Sequence, residues 1–319
     1  TQDLLEGRWH ATFNPVGTDT WRWSSSNHPL GVGANLQNID DEVRRAFIPD
    51  DDFILFSFDQ QGAEAKAVAY IIGDEAYIKA VSSGDVHTFV ACMVFGIPPE
   101  EAKKIFYRGD TYRQIAKKFS HGSNYNGTAF TLAKQARTPT KLVADFQSRY
   151  FKAFPGIQEW HRWTARQLET KGYLISAYGD RRQFWNRLWD DSTIRSAIAF
   201  QPQHIVGKLT AVACYRIWSE LPHDKVQLLA NGHDAVILQI KKNSIAEYYP
   251  KVLECLDNPL QVADIKGQER TLSIPWDAEV GLNWGKRKED PPPVVNPLGM
   301  RRYRGPATLM ELDEQAKEA

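Results

Sequence analysis

The stretch that decides the fold of this chain is residues 54–66, which reads ILFSFDQQGAEAK. An apolar run typical of a buried strand ends on Asp59, and Ala63, Lys66 and Tyr70 then recur with the period of a helix. This layout holds a carboxylate at a rigid strand end. Asp59 has two interpretations here, since it either caps the following helix or binds a metal ion. The second interpretation requires a partner carboxylate elsewhere in the chain.

The composition indicates a folded protein without an overall charge bias. Of the 319 residues, 42% are hydrophobic and 12% aromatic, which is enough for one large domain or two interlocked ones. Lys plus Arg and Asp plus Glu each number 39, so nucleic-acid binding would have to use local basic surfaces and bound cations. The widely spaced Cys92, Cys214 and Cys255 predict core thiols in a reducing compartment.

No apolar run is long enough to span a membrane, and the first residues lack the pattern of a signal peptide. The sequence therefore predicts a soluble, cytoplasmic protein that does not contact a membrane. Because it begins at Thr1 rather than Met, we expect a fragment, a processed product or a trimmed chain.

The N-terminal part, residues 9–56, mixes aromatic, β-branched and polar residues around Gly31 and Gly33, as short strands and turns do. It places Arg22, Asn35 and Gln37 among aromatic residues. Such polar groups suit contact with sugars or phosphates, and a turn-rich edge with serine caps is the alternative.

A series of helices is predicted after Asp59. One begins at Asp85 and ends at Gly96, and Pro98-Pro99 predicts the start of another. His87 lies in the first turn of the helix after Asp85, where it either binds phosphate or helps to cap the helix.

The most informative predicted helix is residues 110–127. Four side chains with a spacing of four residues share one of its faces: Arg113, Lys117, His121 and Tyr125. Two cations suit the phosphates of a triphosphate, and two flat rings suit a sugar or a base. Gly122 permits close approach of a base or a backbone. The alternative is a solvated helix face with an incidental pair of cations.

The second half of the chain alternates long helices with hairpins. An amphipathic stretch at residues 142–171 breaks at Pro155, and residues 172–182 predict a hairpin that ends on Arg181 and Arg182. These arginines contact phosphates, or they protect an edge strand against aggregation. A long helix over residues 194–221 carries Arg195 and Gln203.

The partner that Asp59 requires is found in a second hairpin. Residues 226–240 predict two apolar strands around a tight Asn231-Gly232 turn, with His233 and Asp234 at its tip. A helix over 243–256 and strands over 272–276 and 278–281 follow, and the Pro-rich, charged residues 286–319 predict a docked or flexible tail.

Taken in this order, the motifs resemble the polymerase domain of family A DNA polymerases, the DNA polymerase I type, over roughly residues 6–284. Residues 59–64 look like motif A and His233-Asp234 look like motif C. Motif B, the helix that grips the incoming nucleotide, is matched by Arg113, Lys117, Gly122 and Tyr125.

The resemblance implies an α+β fold of the right-hand polymerase type, with an antiparallel palm sheet and a mainly helical fingers subdomain. It assigns residues 1–75 and 171–285 to the palm, 76–170 to the fingers and 286–319 to the tail. A thumb and an exonuclease domain have no counterpart in this sequence, so we expect an upstream segment or a separate polypeptide to supply them.

The implied activity is template-directed DNA synthesis by two-metal-ion transfer in a bacterial or phage-infected cell, with Mg²⁺ or Mn²⁺ as cofactor and primer-template DNA and dNTPs as partners. Asp59, Asp234 and the carbonyl of Gln60 would bind the metal ions, and Lys117 would join the two acids in catalysis. The incoming nucleotide would contact Gln60, Gln61, Glu64, His87, Arg113, Lys117, His121 and Tyr125. DNA would contact Arg22, Asn35, Gln37, Arg181, Arg182, Arg195, Gln203 and His233.

Departures from the family pattern leave alternatives open. Ala235 stands where motif C usually has Glu, so we expect weakened activity, and His121 replaces the usual Phe or Tyr. Lys66 and Asp180 stand where Arg is customary. A catalytically weak or silent nucleic-acid-binding subunit is the main alternative. A single-subunit RNA polymerase is another, and Glu64, which would block a 2′-hydroxyl, argues against it.

Overall fold

The computed structural model describes residues 4–5, 7–288 and 294–318. The chain divides into two compact units. The first consists of residues Thr1–Gln61, Val206–Asn258 and Ser273–Ala319, and the second of Gly62–Ile205 and Pro259–Leu272.

The strands are β1 (Leu4–Leu5), β2 (Arg8–Trp9), β3 (Thr12–Asn14), β4 (Ser24–Ser26), β5 (Phe53–Gln60), β6 (Ile105–Tyr107), β7 (Asp110–Thr111), β8 (Tyr173–Ile175), β9 (Arg181–Gln183), β10 (Val226–Asn231), β11 (Ala235–Lys241), β12 (Leu260–Ala263), β13 (Glu269–Leu272), β14 (Trp276–Gly281) and β15 (Arg301–Arg302). The helices are α1 (Asp41–Arg44), α2 (Ala63–Ile72), α3 (Glu75–Ser82), α4 (Val86–Phe95), α5 (Tyr112–Asn124), α6 (Ala129–Ala136), α7 (Thr140–Ala153), α8 (Pro155–Lys171), α9 (Asp191–Glu220), α10 (Ile245–Leu256) and α11 (Pro306–Glu318). Short 3₁₀ helices cover Leu36–Asn38, Pro99–Glu101 and Lys242–Ser244.

The first unit is built on an antiparallel sheet with the strand order β10-β11-β5-β14-β15. β5 lies at its centre and pairs along its length with β11 on one side and β14 on the other. Because both edges of β5 are hydrogen-bonded, its register fixes the positions of its neighbours' side chains.

The two faces of this sheet differ because side chains alternate along a strand. Phe56 and Phe58 are fully buried in a core that also contains Leu238 and Val280 and residues of α10 and of the second half of α9. Asp59 points to the opposite face and is exposed. The apolar face therefore secures the strand, while the other face leaves a carboxylate accessible.

The second unit is mostly helical, and its central feature for function is α5. The helix begins with a capping box, in which Thr111 and Gln114 each bond the other's backbone amide. At its other end, Asn124 donates to the hydroxyl of Tyr77 at 2.9 Å and accepts from Tyr150 at 2.9 Å. This buried network fixes the end of α5 to α3 and α7.

The predicted helix from Asp85 to Gly96 and the break at Pro155 are confirmed, and the long helix predicted over 194–221 is observed as α9. The hairpin predicted over 226–240 is confirmed, but its turn lies at residues 232–234, because Asn231 still pairs with Val236 as the last residue of β10. The helix predicted over 110–127 is shorter, because Asp110 lies in β7 and the capping box starts α5 at Tyr112. Pro98-Pro99 begins only a 3₁₀ turn.

Other differences lie near the C-terminus. The strand predicted over 272–276 is wrong, since Leu272 ends β13 and Trp276 begins β14. β12 and β13 form an unpredicted hairpin, within which Asp264 forms an ion pair with Arg270. The tail is docked, since β15 pairs with β14 and Leu312 of α11 is fully buried. No helix in the described ranges is long and apolar enough to cross a membrane.

We predict that Phe56→Ala lowers the free energy of unfolding by about 3–5 kcal/mol, because it leaves a cavity beneath the central strand. Urea unfolding followed by circular dichroism measures this loss. Phe130→Ala is the matched control, because Phe130 is 70% exposed and its removal should cost less than about 0.5 kcal/mol. Equal losses for the two variants would contradict the assignment of the core.

Candidate active site

The pairing of β5 with its neighbours brings the two predicted metal-binding acids together. Asp59 lies directly opposite Ala235 on β11, and the amide of Gln60 donates to the carbonyl of Asp234 at 3.0 Å. Asp234 is the last residue of the hairpin turn and is exposed, as Asp59 is. The alternative that Asp59 caps a helix is wrong, because Gly62 is the N-cap residue of α2.

Electrostatics distinguish Asp59 from an ordinary surface acid. Partial burial and the nearby carboxylate of Asp234 raise its pKa to about 6, with smaller contributions from Glu279 and Asp277. Lys286 opposes this shift. A raised pKa of this origin means that the site accumulates negative charge that a bound cation would relieve.

The residues present fit a hard divalent cation. Mg²⁺ prefers oxygen ligands and is commonly held by one or two carboxylates, with water and phosphate oxygens completing its coordination. Asp59 near the end of β5 and Asp234 just before β11 provide two accessible carboxylates. No group of three or more His, Cys, Asp or Glu side chains is arranged to hold a metal ion within the described part of the chain. An ion held by these two acids would take its remaining ligands from backbone carbonyls, water and a substrate.

Three charged residues near Asp59 were missed by the sequence reasoning. Asp277 lies directly opposite Asp59 on β14, on the side away from Ala235, and Glu279 follows two residues later on the same face. Lys286 lies 3.9 Å from Glu279. The alternation of acids at 277 and 279 in strand β14 was the signal that could have identified this face.

Gln61, a predicted nucleotide contact, is held within the sheet. Its side-chain amide donates to Asp277 at 2.6 Å, and its backbone amide donates to the carbonyl of Pro275 at 2.9 Å. Gln60, by contrast, points its side chain to the core, where it donates to Thr210 at 3.0 Å. Only its backbone is therefore available near the two acids.

His233 and Arg22 are brought near each other beside the hairpin tip. Burial and the charge of Arg22 lower the pKa of His233, so it is mainly neutral at pH 7. His233 has a left-handed backbone with φ 73°, which turns the chain sharply before Asp234. Gly207 of α9 makes room for Arg22, because a Cβ there would lie 2.8 Å from the Arg22 Cγ.

Asn35 and Gln37, two predicted DNA contacts, make hydrogen bonds inside the first unit. Asn35 caps the 3₁₀ helix by accepting from the amide of Gln37 at 2.8 Å. Gln37 donates to the carbonyls of Trp23 and Asn231, both at 3.1 Å. They support the strand that leads to His233, and their role as DNA contacts stays a prediction.

The predicted triphosphate contacts form a cluster in the second unit. Arg113 pairs with Asp85 at 2.7 Å, and Asp85, the N-cap of α4, also accepts from the amide and hydroxyl of Thr88. Burial and the charges of Arg113 and Lys117 lower the pKa of His87 to about 4. The buried Nδ1 of His87 has no hydrogen-bond partner, so His87 does not cap its helix.

At the C-terminal end of α5, the rings of His121 and of the C-cap residue Tyr125 lie next to Glu64. The hydroxyl of Tyr125 donates to a Glu64 carboxylate oxygen at 2.7 Å, and His121 Nδ1 lies 3.7 Å from the same oxygen. The rings of His121 and Tyr125 pack edge to face, with centroids 4.9 Å apart. Gly122 faces Leu132 of α6, since a Cβ would lie 2.2 Å from a Leu132 methyl, so packing between helices explains this glycine.

The remaining predicted DNA contacts lie near the β8–β9 hairpin. Arg181 is exposed and its guanidinium stacks over Tyr173 at 3.9 Å. Arg182 donates to the carbonyl and hydroxyl of Ser196 and is half-buried, so it ties the hairpin to α9. Arg195 and Gln203 are half-buried on α9, and their contacts with DNA stay predictions.

The sheet and the helical unit together have the α+β fold of a polymerase domain. The POL domain of Pol1 from M. smegmatis, solved as a complex with DNA primer-template and dNTP, superimposes with a TM-score of 0.75 at 23% identity. The match covers 89% of this chain and 49% of that chain. At this identity the likeness shows the fold alone.

Sequence comparison gives the family. The family model "DNA polymerase family A" matches residues 2–286, and the chain therefore belongs to that family. Thermostable DNA polymerase I of Thermus aquaticus is 28% identical over 300 residues, which is 89% of this chain and 33% of that protein. DNA polymerase I of Mycobacterium bovis is 28% identical over 86% of this chain and 30% of its own length. The chain thus spans about a third of the length of these relatives.

We predict that Asp59→Asn stabilises the protein at neutral pH. The pKa of Asp59 is raised from 3.8 to about 6 by folding, so the parent loses stability as the pH rises through this window. The amide cannot ionise and avoids the loss. Because Asp59 is exposed and solvent screens it, we expect a gain of only about 1 kcal/mol above pH 6, which disappears below pH 3.8.

Thermal unfolding in EDTA at a series of pH values measures the effect. Asp224→Asn is the control, since the side chain of Asp224 is 73% exposed and its replacement should give no such pH-dependent gain. If the difference in stability between Asp59→Asn and the parent were the same at every pH, this result would contradict the raised pKa of Asp59.

Proposed function

We propose that this chain is the catalytic portion of a template-directed DNA polymerase, which adds deoxynucleotides to a primer 3′-hydroxyl. The observation that carries the proposal is the placement of Asp59 and Asp234 at adjoining strand ends in a chain of DNA polymerase family A. The raised pKa of Asp59 supports it, since paired carboxylates of this kind suit a cation-dependent reaction.

The site residues of the first unit would hold the metal ions and the primer end. Asp59, Asp234 and the Gln60 carbonyl are the proposed ligands of two Mg²⁺ ions, with Mn²⁺ as a substitute. Such ions activate a hydroxyl and stabilise the charge that develops at phosphorus and on the leaving group. His233 and Arg22 lie beside the hairpin tip and are proposed to position the primer and template.

The cluster in the second unit would bind the nucleotide. Arg113 and Lys117 are proposed to neutralise the charge of the triphosphate. The buried His87 Nδ1 has no hydrogen-bond partner, and both cations lie close enough to lower the pKa of this histidine. Lys117 is exposed and would be free to follow the charge of the departing pyrophosphate. Asp85 holds Arg113 until a phosphate competes for it.

Glu64 is proposed to select the sugar. The hydrogen bond from the Tyr125 hydroxyl restricts the position of the Glu64 carboxylate, and the His121 ring packs against the ring of the same tyrosine. A carboxylate held in one position can exclude a 2′-hydroxyl more effectively than a mobile one, because it cannot move aside.

We retain the proposed subdomains, with the palm at residues 1–75 and 171–285, the fingers at 76–170 and a tail at 286–319. In the division into two compact units, residues 62–75, 171–205 and 259–272 belong with the helices of the proposed fingers.

A nucleic-acid-binding subunit with little activity of its own is the second candidate function. Ala235 favours it, because an alanine at this position provides no carboxylate to the site.

We predict that Asp59→Ala and Asp234→Ala each reduce primer extension with Mg²⁺ about a thousandfold, which corresponds to ~4 kcal/mol of lost transition-state stabilisation. Single-nucleotide incorporation into a labelled primer measures the loss, and EDTA should abolish the parent's activity. Asp224→Ala is the control and should extend the primer as the parent does.

Equal extension by the parent and both acid variants would contradict the metal assignment. A parent that binds primer-template tightly yet incorporates nothing, even with Mn²⁺, would instead support the second candidate.

We predict that Glu64→Ala raises the incorporation of ribonucleotides relative to deoxynucleotides by about tenfold or more, or ~1.4 kcal/mol of lost discrimination. Tyr125→Phe should give a smaller rise, because it keeps the ring and removes only the hydrogen bond to Glu64. Competing single-turnover incorporation of the two nucleotides provides the ratio. Glu169→Ala, an exposed acid on α8, should leave it unchanged. An unaltered ratio in Glu64→Ala would remove the basis for choosing DNA synthesis over RNA synthesis.

A further inference from the structure

The loop between β9 and α9 presents two large aromatic side chains to solvent. Trp185 and Trp189 are 88% and 72% exposed, although each offers a large apolar surface that a folded chain normally buries. We call residues 184–189, which read FWNRLW, the aromatic loop. An exposed apolar surface of this kind often marks a site of interaction.

The aromatic loop is held in place by contacts with the rest of the second unit, although its two tryptophans are exposed. Phe184 is only 8% exposed, its amide donates to the Gly172 carbonyl at 3.0 Å, and the Arg182 guanidinium stacks over its ring. Leu188 is half-buried and faces Gly172, the C-cap residue of α8. The apolar residues are thus divided, with Phe184 and Leu188 turned inward and the two tryptophans turned outward.

The charged residues from position 181 to position 189 are all positive. Arg187 lies between the two tryptophans and Arg181 precedes the loop, and both are exposed. No acidic residue occurs from position 181 to position 189. Asp180, just before this segment, lies 3.0 Å from the buried His204. Asp190 and Asp191 follow Trp189 directly; the Asp190 carbonyl accepts from the amide of Ile194, and Asp191 begins α9. Flat rings and cations therefore lie close together in sequence between positions 181 and 189.

We propose that the aromatic loop is a binding site for single-stranded nucleic acid, in which Trp185 and Trp189 stack on bases while Arg187 and Arg181 contact the phosphates. Exposed aromatic rings next to cations are the combination that binds single strands without sequence preference, since every base has a flat face. An apolar protein partner would also cover the tryptophans, but it would leave two arginines without counter-charges. The choice of DNA as the strand rests on the proposed function.

Equilibrium binding tests this site separately from catalysis. Fluorescence anisotropy of a labelled oligothymidylate of about 20 nucleotides is measured in EDTA without dNTPs, so an inactive polymerase would still give a result. We expect the double variant Trp185→Ala/Trp189→Ala to bind at least about tenfold more weakly than the parent. Trp218→Ala is the matched control, since Trp218 is 58% exposed on α9, and it should bind within about twofold of the parent.

Two further measurements identify what the loop recognises. An abasic oligonucleotide of the same length should bind the parent as weakly as the oligothymidylate binds the double variant, because it offers phosphates without bases. Trp185→Phe/Trp189→Phe should recover part of the affinity, because the phenyl rings can still stack. If the double alanine variant shows no thermal unfolding transition and is therefore not folded, the single variants Trp185→Ala and Trp189→Ala are measured in its place.

Unchanged affinity of the double variant for oligothymidylate would overturn the proposal and favour a protein partner for this surface. Equal binding of the parent to the abasic and the thymidylate strands would overturn it as well, because it would leave no role for the rings.

Discussion

The pairing of β5 on both of its edges is the constraint on which the rest of this molecule depends. With Phe56 and Phe58 buried against α9 and α10, the strand cannot shift by one residue without moving these rings out of the core and Asp59 into it. The same register places Asp59 opposite Ala235 and next to Asp234. Hydrophobic burial on one face of the sheet therefore determines the position of a charged group on the other.

That position is unfavourable for Asp59 itself. Folding partly buries its carboxylate and places it close to Asp234, with Asp277 and Glu279 nearby on β14, and its pKa rises to about 6 as a result. The apolar core compensates for this repulsion, as is usual where a functional site is held in an unfavourable electrostatic arrangement. Ala235 removes one source of like charge beside Asp59, while Asp277 adds another on the opposite side.

The helical unit uses a different means to position its functional face. A capping box fixes the start of α5, and the hydrogen bonds among Asn124, Tyr77 and Tyr150 fix its end. Between these points, Asp85 and Glu64 each hold one side chain of the exposed face, Arg113 and Tyr125 respectively. Asp85 is the N-cap residue of α4 and Glu64 lies in α2, so the preorganisation of this face is a tertiary property that helical spacing alone could not reveal.

The sequence by itself determined the elements whose information is local. The apolar run before Asp59, the Asn231-Gly232 turn and the four-residue spacing along α5 predicted their strand, hairpin and helix face, because periodicity and turn chemistry depend on neighbours in the chain. Only the tertiary structure decided that Asp277 lies across from Asp59, that Gln37 and Arg182 are bonded within the fold, and that Trp185 points outward while Phe184 does not. These outcomes depend on strand register and on packing between residues far apart in sequence, and no local pattern encodes such contacts.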